Sequence, residues 1–352
     1  MATETQTRIK KLRSYLVKNK LDSALITDLK NVFYYSGYTG SSAYLVIGLD
    51  VLYLMTDFRY ITQAGEQCPD YEIIDIRKND IKKMCSAFEK TGFENLSISY
   101  SSYMKFGGIF KNLFCLDDTI LKFRAKKSAA ELKNIRKAVK IADMAFEHIL
   151  KFAKAGMSEI EVANEIDFFM KKCGASQNSF DTICASGKRG ALPHGFPTSK
   201  KLEKGDLVVL DYGCVYNGYC SDITRTFAVG DVSDDAKKIY DTVLTAQRCA
   251  EEFLAAQKKC SDAHMLAENI INKSYCGYFG HALGHGVGLN IHELPTLSPK
   301  NETLLKPGNV VTVEPGIYIP SFCGVRIEDM AVIKKDGIEI LTSAEKDLKI
   351  IG

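Results

Sequence analysis

The chain has 352 residues, 46% of them hydrophobic, and its 46 basic and 43 acidic residues leave a net charge of +3. This is the composition of a globular protein long enough for two domains, and the balanced charge predicts neither a nucleic-acid nor a membrane partner. No apolar run approaches the roughly 18 residues of a transmembrane helix, and the first residues lack the apolar core of a signal peptide, so we expect a cytoplasmic protein.

The cysteines give no sign of a bonded framework. There are eleven of them, an odd number, and no two are spaced as a CxxC pair. We therefore expect buried or incidental thiols in a reducing compartment, rather than disulfides or a zinc–thiolate site.

The first third of the chain predicts a small α/β domain over residues 1–122. A helix comes first, with Ile9, Leu12 and Leu16 on one face, and β-type runs then alternate with helical stretches. The β-type runs are SALIT, AYLVIG, VLYLMTD, YEIIDI and LSISY, and the helical stretches include residues 80–90 and 103–114. The basic segment 121–127 lacks helical periodicity and is interpreted as a link to the next domain.

A second domain is predicted over residues 123–352. Two capping boxes, Ser128 with Glu131 and Ser158 with Glu161, each begin a helix. The later helices are predicted over residues 234–258 and 261–273, and the strand-like runs are DLVVLDYG, ITRTFAV, NVVTVEPGIYI, RIEDMAVI and IEILT. The order of these elements predicts an α+β domain.

The second domain contains an internal repeat. The segment GDLVVLDYG aligns with GNVVTVEPG, and each ends an apolar strand with an acid, Asp211 in the first and Glu314 in the second. A second acid follows each one: Asp222 is 11 residues after Asp211, and Glu328 is 14 residues after Glu314. We interpret the domain as two related halves, each donating two carboxylates to a shared centre.

These acids form a candidate metal site. A bare carboxylate such as Asp211, at the end of an apolar strand, is costly to bury unless it is paired or metal-bound. Four carboxylates and the imidazole of His285 can hold two divalent ions side by side, because a carboxylate has two oxygens and can bridge. Two adjacent ions can support hydrolysis. The alternatives are a turn-initiating Asp211 and an ion pair between Asp222 and Arg225.

The segment HALGHGVGLNIHE is the most specific signal in the chain. It holds His281, His285 and His292, three of the six histidines, within twelve residues. Gly284 and Gly286 flank His285, so the backbone there can approach a ligand closely. The spacing is not HExxH, which excludes a zincin site. The alternative is a group of core histidines without a chemical role.

Two further residues, Arg326 and His194, are candidates for the same site. Arg326 and Glu328 alternate along a predicted strand and so point the same way, and we interpret Arg326 as a residue that orients a ligand carboxylate. A surface ion pair is the alternative. His194 lies in the loop LPHGFP, where a solvated histidine would be unremarkable.

Together these segments resemble the metallopeptidases with the pita-bread fold, which include methionine aminopeptidase, Xaa-Pro aminopeptidase and Xaa-Pro dipeptidase (prolidase). The histidine segment, DYG followed by GYCSDITRTF, and GVRIED are closer to the proline peptidases than to methionine aminopeptidase. The resemblance implies an α/β N-terminal domain followed by an α+β pita-bread catalytic domain with pseudo-twofold halves. It is dense over residues 128–352 and looser over residues 1–122.

The resemblance also implies residue roles. The metal ligands would be Asp211, Asp222, His285, Glu314 and Glu328. The catalytic residues would be His194, His281, His292, Glu314 and Arg326. In this scheme Asp222 and Glu328 bridge two ions, the histidines hydrogen-bond the peptide or the tetrahedral intermediate, and Glu314 assists proton transfer.

The function that follows is removal of the N-terminal residue from peptides with proline in second position, by an Xaa-Pro aminopeptidase. The alternative enzyme is an Xaa-Pro dipeptidase, and the non-enzyme alternative is a pita-bread protein-binding module, which the intact ligand set disfavours. The oxygen-rich set favours two Mn²⁺ ions, with Co²⁺ or Zn²⁺ as alternatives. We expect a homodimer or an N-terminal domain that caps the cleft, and a proline pocket formed by Phe180, Tyr212 or Tyr318.

Overall fold

The structure, a computed structural model, describes residues 3–352. The chain divides into two compact units, Met1–Ile120 and Leu121–Gly352. Among the described residues, every helix is too short or too polar to span a membrane.

The first unit is built on a six-stranded mixed sheet. Its elements are α1 Glu4–Lys18, β1 Ser23–Ile26, α2 Leu29–Ser36, β2 Tyr44–Gly48, β3 Leu52–Thr56, α3 Ile61–Gln67, β4 Glu72–Asp75, α4 Ile81–Cys85, β5 Thr91–Phe93, α5 Tyr100–Gly107 and β6 Leu113–Cys115. The strand order is β4-β3-β2-β1-β5-β6. The pairs β1–β2 and β2–β3 are antiparallel, whereas β3–β4, β1–β5 and β5–β6 are parallel.

Helix α1 follows its sequence pattern closely. Thr3 caps it, with its side chain accepting a hydrogen bond from the Gln6 backbone N–H. Ile9, Leu12 and Leu16 are its buried residues, as the pattern predicts. Each such side chain contributes roughly 1.5–3 kcal/mol when it is buried, which is what holds this helix on the sheet.

Three predictions in this unit are wrong in detail. The run LSISY forms no strand, because the Ser99 side chain accepts a hydrogen bond from the Ser102 backbone N–H and so caps α5. The helix predicted over residues 80–90 is the short α4, and the helix predicted over residues 103–114 begins earlier and ends sooner, as α5. The strands β5 and β6 were not predicted, since three residues are too few to show a period.

The second unit begins with a pair of helices that packs on a small sheet. The elements of this first half are α7 Ala129–Phe152, α8 Glu159–Lys172, β7 Gln177–Asn178, β8 Ile183–Ser186, a 3₁₀ helix Gly187–Ala191, β9 Leu207–Tyr212, β10 Cys214–Tyr216, β11 Tyr219–Cys220 and β12 Ile223–Val229. Both predicted capping boxes are present, at Ser128 for α7 and at Ser158 for α8. Before them lies α6, Thr119–Ala125, so the segment predicted to lack helix is largely helical.

The second half repeats this plan. Its elements are α9 Asp234–Phe253, α10 Cys260–Tyr275, β13 Gly284–Gly286, β14 Glu293–Leu297, β15 Val310–Val313, β16 Gly316–Ile319, β17 Cys323–Arg326, β18 Asp329–Lys334, β19 Gly337–Ile340 and β20 Ile350–Ile351. The sheets that contain these strands are β20-β12-β9-β8, β14-β13-β15-β18-β19 and β16-β17. Each helix pair has its own apolar core, one under α7 and α8 and one under α9 and α10.

The sequence repeat coincides with equivalent strands of the two halves. Strand β9 pairs antiparallel with β12, and β15 pairs antiparallel with β18. Asp211 lies near the end of β9 and Glu314 directly follows β15. The fold therefore places the first acid of each repeat at the same end of a central strand.

Candidate metal centre

Five strands of the second unit carry or directly adjoin the predicted ligands. Asp211 is in β9, Asp222 directly precedes β12, His285 is the middle residue of β13, Glu314 directly follows β15, and Glu328 directly precedes β18. Each half of the second unit thus supplies two carboxylates, and the second half adds the imidazole.

The five predicted side chains lie close to one another. Oxygen atoms of Asp211, Asp222 and Glu328 all lie within 4.8 Å of one another. The His285 Nε2 atom lies 3.5 Å from Asp222 Oδ2 and 3.2 Å from Glu314 Oε1. All five side chains are therefore close enough to surround a shared pair of small cations.

The polar atoms of this cluster fit divalent metal ions. Asp211 Oδ1 and Glu328 Oε1 are buried and have no hydrogen-bond partner within residues 3–352, a costly state for carboxylate oxygens that lack a cation. His285 Nδ1 lies 3.1 Å from the Gly286 carbonyl oxygen, so an Nδ1–H group donates there and the lone pair of Nε2 is directed into the cluster. The donor set, four carboxylates and one imidazole, suits hard divalent ions.

The pKa values of the buried carboxyl groups also indicate that the cluster needs cations. Burial, and next the charge of Glu328, raises the pKa of Asp222 well above its usual range. Burial, and next the charge of Glu314, does the same to the pKa of Glu328. Four ionised carboxylates at this depth therefore need cations to balance them.

Arg326 connects the cluster to its surroundings. Its Nη2 donates to Asp211 Oδ2 at 2.6 Å, and its Nε donates to Thr224 Oγ1 at 3.0 Å. Thr224 Oγ1 in turn donates to Glu328 Oε2 at 2.8 Å. Only 3% of Arg326 is exposed, so a surface ion pair is the wrong description of it. The strand predicted to run through Arg326 and Glu328 is broken between β17 and β18, yet both side chains reach the centre.

The alternative partner for Asp222 is also excluded. Arg225 points away from Asp222 and donates to Asp329 Oδ1 at 2.7 Å, and it also donates to the Glu328 and Ala344 carbonyl oxygens. These contacts hold β12 to β18 behind the centre. Asp222 thus faces the other carboxylates and His285 rather than Arg225.

His281 is held by bonds within the protein. Its Nδ1 lies 2.8 Å from the Ala282 carbonyl oxygen, and its Nε2 lies 2.9 Å from the Tyr318 hydroxyl. Arg326 Nη1 donates to the same hydroxyl at 2.7 Å, so the hydroxyl hydrogen is left for His281 Nε2. Burial lowers the pKa of His281, which agrees with a neutral ring whose two nitrogens are both engaged.

His194 and His292 differ from His281. Both are exposed and line the same pocket, and neither ring makes a hydrogen bond to another residue that the structure describes. The His292 ring lies 4.3 Å from the His285 ring, edge to face. These two histidines therefore keep ring nitrogens free for a bound molecule.

The pocket over the centre has a volume of about 430 Å³ and an apolar wall. The wall side chains include Phe180, Ile183, Pro193, Phe196 and Ile291. The sequence-based choice of Phe180 agrees with this lining, but Tyr212 was wrong. Tyr212 is buried in the core beneath α7, where its hydroxyl donates to the Ala142 carbonyl oxygen.

The sequence interpretation missed two threonines that orient ligands. Thr224 bonds Glu328, and Thr312 donates to Glu314 Oε1 at 2.9 Å while it accepts from the His285 backbone N–H at 3.0 Å. Thr224 lies two residues after Asp222 and Thr312 two before Glu314. Strand alternation places such pairs on one face, so the signal was present.

Two family models match the chain. The one described as metallopeptidase family M24 matches residues 133–335, and the one described as the creatinase/prolidase N-terminal domain matches residues 8–126. Together they account for most of the sequence.

Individual relatives match over nearly the full length. The chain is 38% identical to the Xaa-Pro dipeptidase of Pyrococcus horikoshii, over 97% of this chain and 98% of the relative. The structure of the Xaa-Pro dipeptidase from Bacillus anthracis is 42% identical with a TM-score of 0.95, over 99% of this chain and 100% of that one. The structure of the X-Pro aminopeptidase from Thermotoga maritima MSB8 is 35% identical with a TM-score of 0.91, over 97% of this chain and 99% of that one.

Proposed function

The chain belongs to metallopeptidase family M24, and from this premise we propose that it is an Xaa-Pro dipeptidase, a hydrolase that splits dipeptides whose second residue is proline. The predicted fold class, an α/β N-terminal domain before an α+β pita-bread catalytic domain, is confirmed by the same matches. The relatives favour the dipeptidase over the aminopeptidase that the sequence first predicted. The similarity to an X-Pro aminopeptidase keeps that activity as the second candidate.

One observation carries the proposal. The pocket places the free rings of His194 and His292 and an apolar wall directly over the carboxylate cluster. A dipeptide that ends in proline offers matching chemistry, since its ring is apolar and its amide carbonyl is a strong acceptor. The tertiary amide before proline has no N–H, so recognition needs no acceptor for that nitrogen.

The metal ligands are part of the proposal. Asp211, Asp222, His285, Glu314 and Glu328 would hold two divalent ions, Mn²⁺ first among them. When bound, such ions acidify a water molecule and polarise a carbonyl oxygen. The protein's own side chains supply positioning and proton transfer, as follows.

Glu314 is suited to move the proton. Its Oε1 is held by Thr312, and its Oε2 makes no hydrogen bond within the described residues. In the proposed reaction Oε2 accepts a proton from the attacking water and delivers it to the proline nitrogen, which must be protonated to leave.

His194 and His292 would donate hydrogen bonds from their ring N–H groups. The carbonyl oxygen gains negative charge as the water attacks, and donors aimed at it stabilise that charge. Arg326 and Tyr318 would keep His281 and Asp211 fixed while this happens. The apolar wall would pack on the pyrrolidine ring and keep bulk water away from it.

The test is a substrate comparison with Mn²⁺ present. We expect hydrolysis of Leu-Pro, little hydrolysis of the matched dipeptide Leu-Ala, and slow release of leucine from Leu-Pro-Gly-Gly. The reason is that the apolar wall would pack on a proline ring, and that on the dipeptidase proposal the substrate ends with that ring. Free amino acids released per minute are the measurement.

The outcomes separate the candidates. Faster cleavage of Leu-Pro-Gly-Gly than of Leu-Pro would establish the aminopeptidase instead. Faster cleavage of Leu-Ala would remove proline specificity from either candidate. Absence of turnover with Mn²⁺, Co²⁺ and Zn²⁺, in protein shown to bind metal, would favour a binding module.

A further inference from the structure

His194 lies on a loop that is held by hydrogen bonds to its backbone. The loop, residues 187–198 and called here the His194 loop, follows β8 and also carries Pro193 and Phe196 into the pocket. The His194 ring makes no hydrogen bond to the described residues, so no side-chain hydrogen bond of its own holds it. Whatever shapes this loop therefore shapes the pocket.

A single buried carboxylate joins the two ends of the loop. Glu159, the first residue of α8, is 0% exposed. Its Oε1 accepts from the Ser186 backbone N–H at 2.8 Å and from Ser186 Oγ at 2.9 Å. Its Oε2 accepts from the Thr198 backbone N–H at 3.0 Å and from Thr198 Oγ1 at 2.7 Å. Ser186 directly precedes the loop and Thr198 ends it.

The same carboxylate reaches the middle of the loop through an arginine. Arg189 Nε donates to Glu159 Oε2 at 3.0 Å, and Arg189 Nη2 donates to the Phe196 carbonyl oxygen at 2.6 Å. On the other side, Arg326 Nη1 donates to the Pro193 carbonyl oxygen at 3.1 Å. His194 thus lies between two anchored carbonyls, one tied to Glu159 and one tied to the metal centre.

The pseudo-symmetric half shows that the fold does not require a carboxylate here. In the first half the Glu159 and Ile160 N–H groups donate to the Lys200 and Thr198 carbonyl oxygens, at 3.0 and 3.2 Å. In the second half, Cys260 and Ser261 donate in the same way to Thr303 and Asn301, at 3.0 and 2.8 Å. The residue equivalent to Glu159 is therefore Cys260.

The two halves differ in how the segments that reach the pocket are joined. The His194 loop contributes three side chains to the pocket, and the corresponding segment between β13 and Asn301 contributes Ile291 and His292. A buried carboxylate is costly, and at Glu159 that cost is offset by five donors, all from the loop and its flanking residues. A buried carboxylate thus joins the ends of the His194 loop, whereas Cys260 at the equivalent position of the second half offers none.

We propose that Glu159 is a positioning residue that closes the His194 loop and so holds His194 over the metal centre. The proposal rests on the proposed function, in which His194 donates to the substrate carbonyl. Glu159 touches neither the pocket nor the candidate ligands, so its effect on catalysis passes through the loop.

The test is a double-mutant cycle of Glu159→Gln with His194→Ala, measured as kcat/KM on Leu-Pro with Mn²⁺. Displacing a catalytic group by about an ångström can cost about 100-fold, so we expect Glu159→Gln to lower kcat/KM by about 10- to 100-fold. In the His194→Ala background the same change should cost less than about twofold, because the residue it positions is gone. Metal content should stay at the wild-type value in every variant.

Two further variants complete the design. Thr198→Val removes one donor to Glu159 while the side chain keeps nearly the same size. If Glu159→Gln does not fold, Thr198→Val replaces it in the double-mutant cycle with His194→Ala. Glu161→Gln is the matched control, since Glu161 lies in the same helical turn but bonds Ser158 and Lys201 outside the loop. We expect wild-type kcat/KM for the control.

Hydrogen exchange gives a readout that does not depend on turnover. We expect faster exchange over residues 187–198 in Glu159→Gln and Thr198→Val, and unchanged exchange in Glu161→Gln. Equal losses in both backgrounds of the cycle, or unchanged exchange and activity in Glu159→Gln, would overturn the positioning role. A wild-type protein inactive on every Xaa-Pro peptide would instead refute the proposed function, and the exchange result would still decide whether Glu159 holds the loop.

Discussion

The three pocket histidines fall into two chemical classes, according to what their ring nitrogens contact. Both ring nitrogens of His281 are bonded within the protein, to Ala282 and Tyr318. The rings of His194 and His292 are free within the described residues and face the cavity. The sequence pattern predicts one role for all three, and the structure separates them.

We expect His194→Ala and His292→Ala to lower kcat by ~10²–10³ while the melting temperature is unchanged, because each variant loses a donor at the carbonyl oxygen and no internal bond. His281→Ala should also lower the free energy of unfolding by about 1–3 kcal/mol, because it leaves the buried Tyr318 hydroxyl without its acceptor. Steady-state kinetics and thermal unfolding are the measurements. A His281→Ala protein with a normal melting temperature and the same loss of kcat would mean that His281 contacts substrate directly.

The difference between the histidines was not accessible from local sequence. Tyr318 is 37 residues from His281 in the chain, and no sequence pattern near His281 predicts that contact. The five acid and imidazole positions were predictable, because a strand repeat and a glycine-rich histidine segment mark them locally. Whether they bind metal stays a prediction.

At the scale of elements, α6 and β14 are joined by a buried ion cluster. Glu293, the first residue of β14 and the neighbour of His292, contacts Arg124 of α6 and accepts from Lys127 Nζ at 3.0 Å. Burial alone would raise the pKa of Glu293, but the charges of Lys127 and Arg124 outweigh it and lower the pKa to about 2. The segment 121–127, predicted as a linker, thus supplies the two basic side chains that pair with Glu293.

The cluster predicts a pH-dependent stability. The folded pKa of Glu293 lies below its ordinary value of 4.5, so the stabilisation is present above about pH 5 and is lost as the pH falls toward 2. For Glu293→Gln we expect a loss on the order of 3 kcal/mol at pH 7 that shrinks as the pH falls through this window. Urea unfolding of both metal-free proteins from pH 7 to pH 3 measures it. A constant difference across that range would show that the charge of Glu293 is not what matters.

How well elements could be predicted depended on their length and on capping. Helices α1, α7 and α8 have both an apolar stripe and a side-chain cap, and all three were predicted. The run LSISY alternates like a strand, but Ser99 caps a helix instead. Glu159 could not be found by pattern, because its partners lie 27 to 39 residues away.

At the scale of the molecule, the candidate centre links metal binding to stability. Burial, and next the charge of a neighbouring carboxylate, raises the pKa of Asp222 and Glu328 above their values in an unfolded chain. The metal-free folded state therefore binds protons more tightly than the unfolded state does. Its stability should therefore fall as the pH rises above about 4, the ordinary pKa of a carboxyl group.

We expect the protein in EDTA to melt at a lower temperature at pH 8 than at pH 6. Saturating Mn²⁺ should reverse that order, and at 100 times the dissociation constant it should add about 2.7 kcal/mol. Calorimetry at both pH values, with metal analysis that finds close to two ions per chain, tests this. Equal melting temperatures with and without Mn²⁺ at pH 8, in protein that contains no metal, would refute the site.

The equivalence of the two halves has a consequence for the origin of the chain. Each half of the second unit brings two carboxylates to the candidate metal centre, from matching ends of matching strands. A shorter ancestor holding one half could have formed the same four-carboxylate cluster by pairing with its own copy. Gene duplication and fusion would then have freed the two copies to diverge. His285 on one side and the Glu159-closed loop on the other are what such divergence would leave behind.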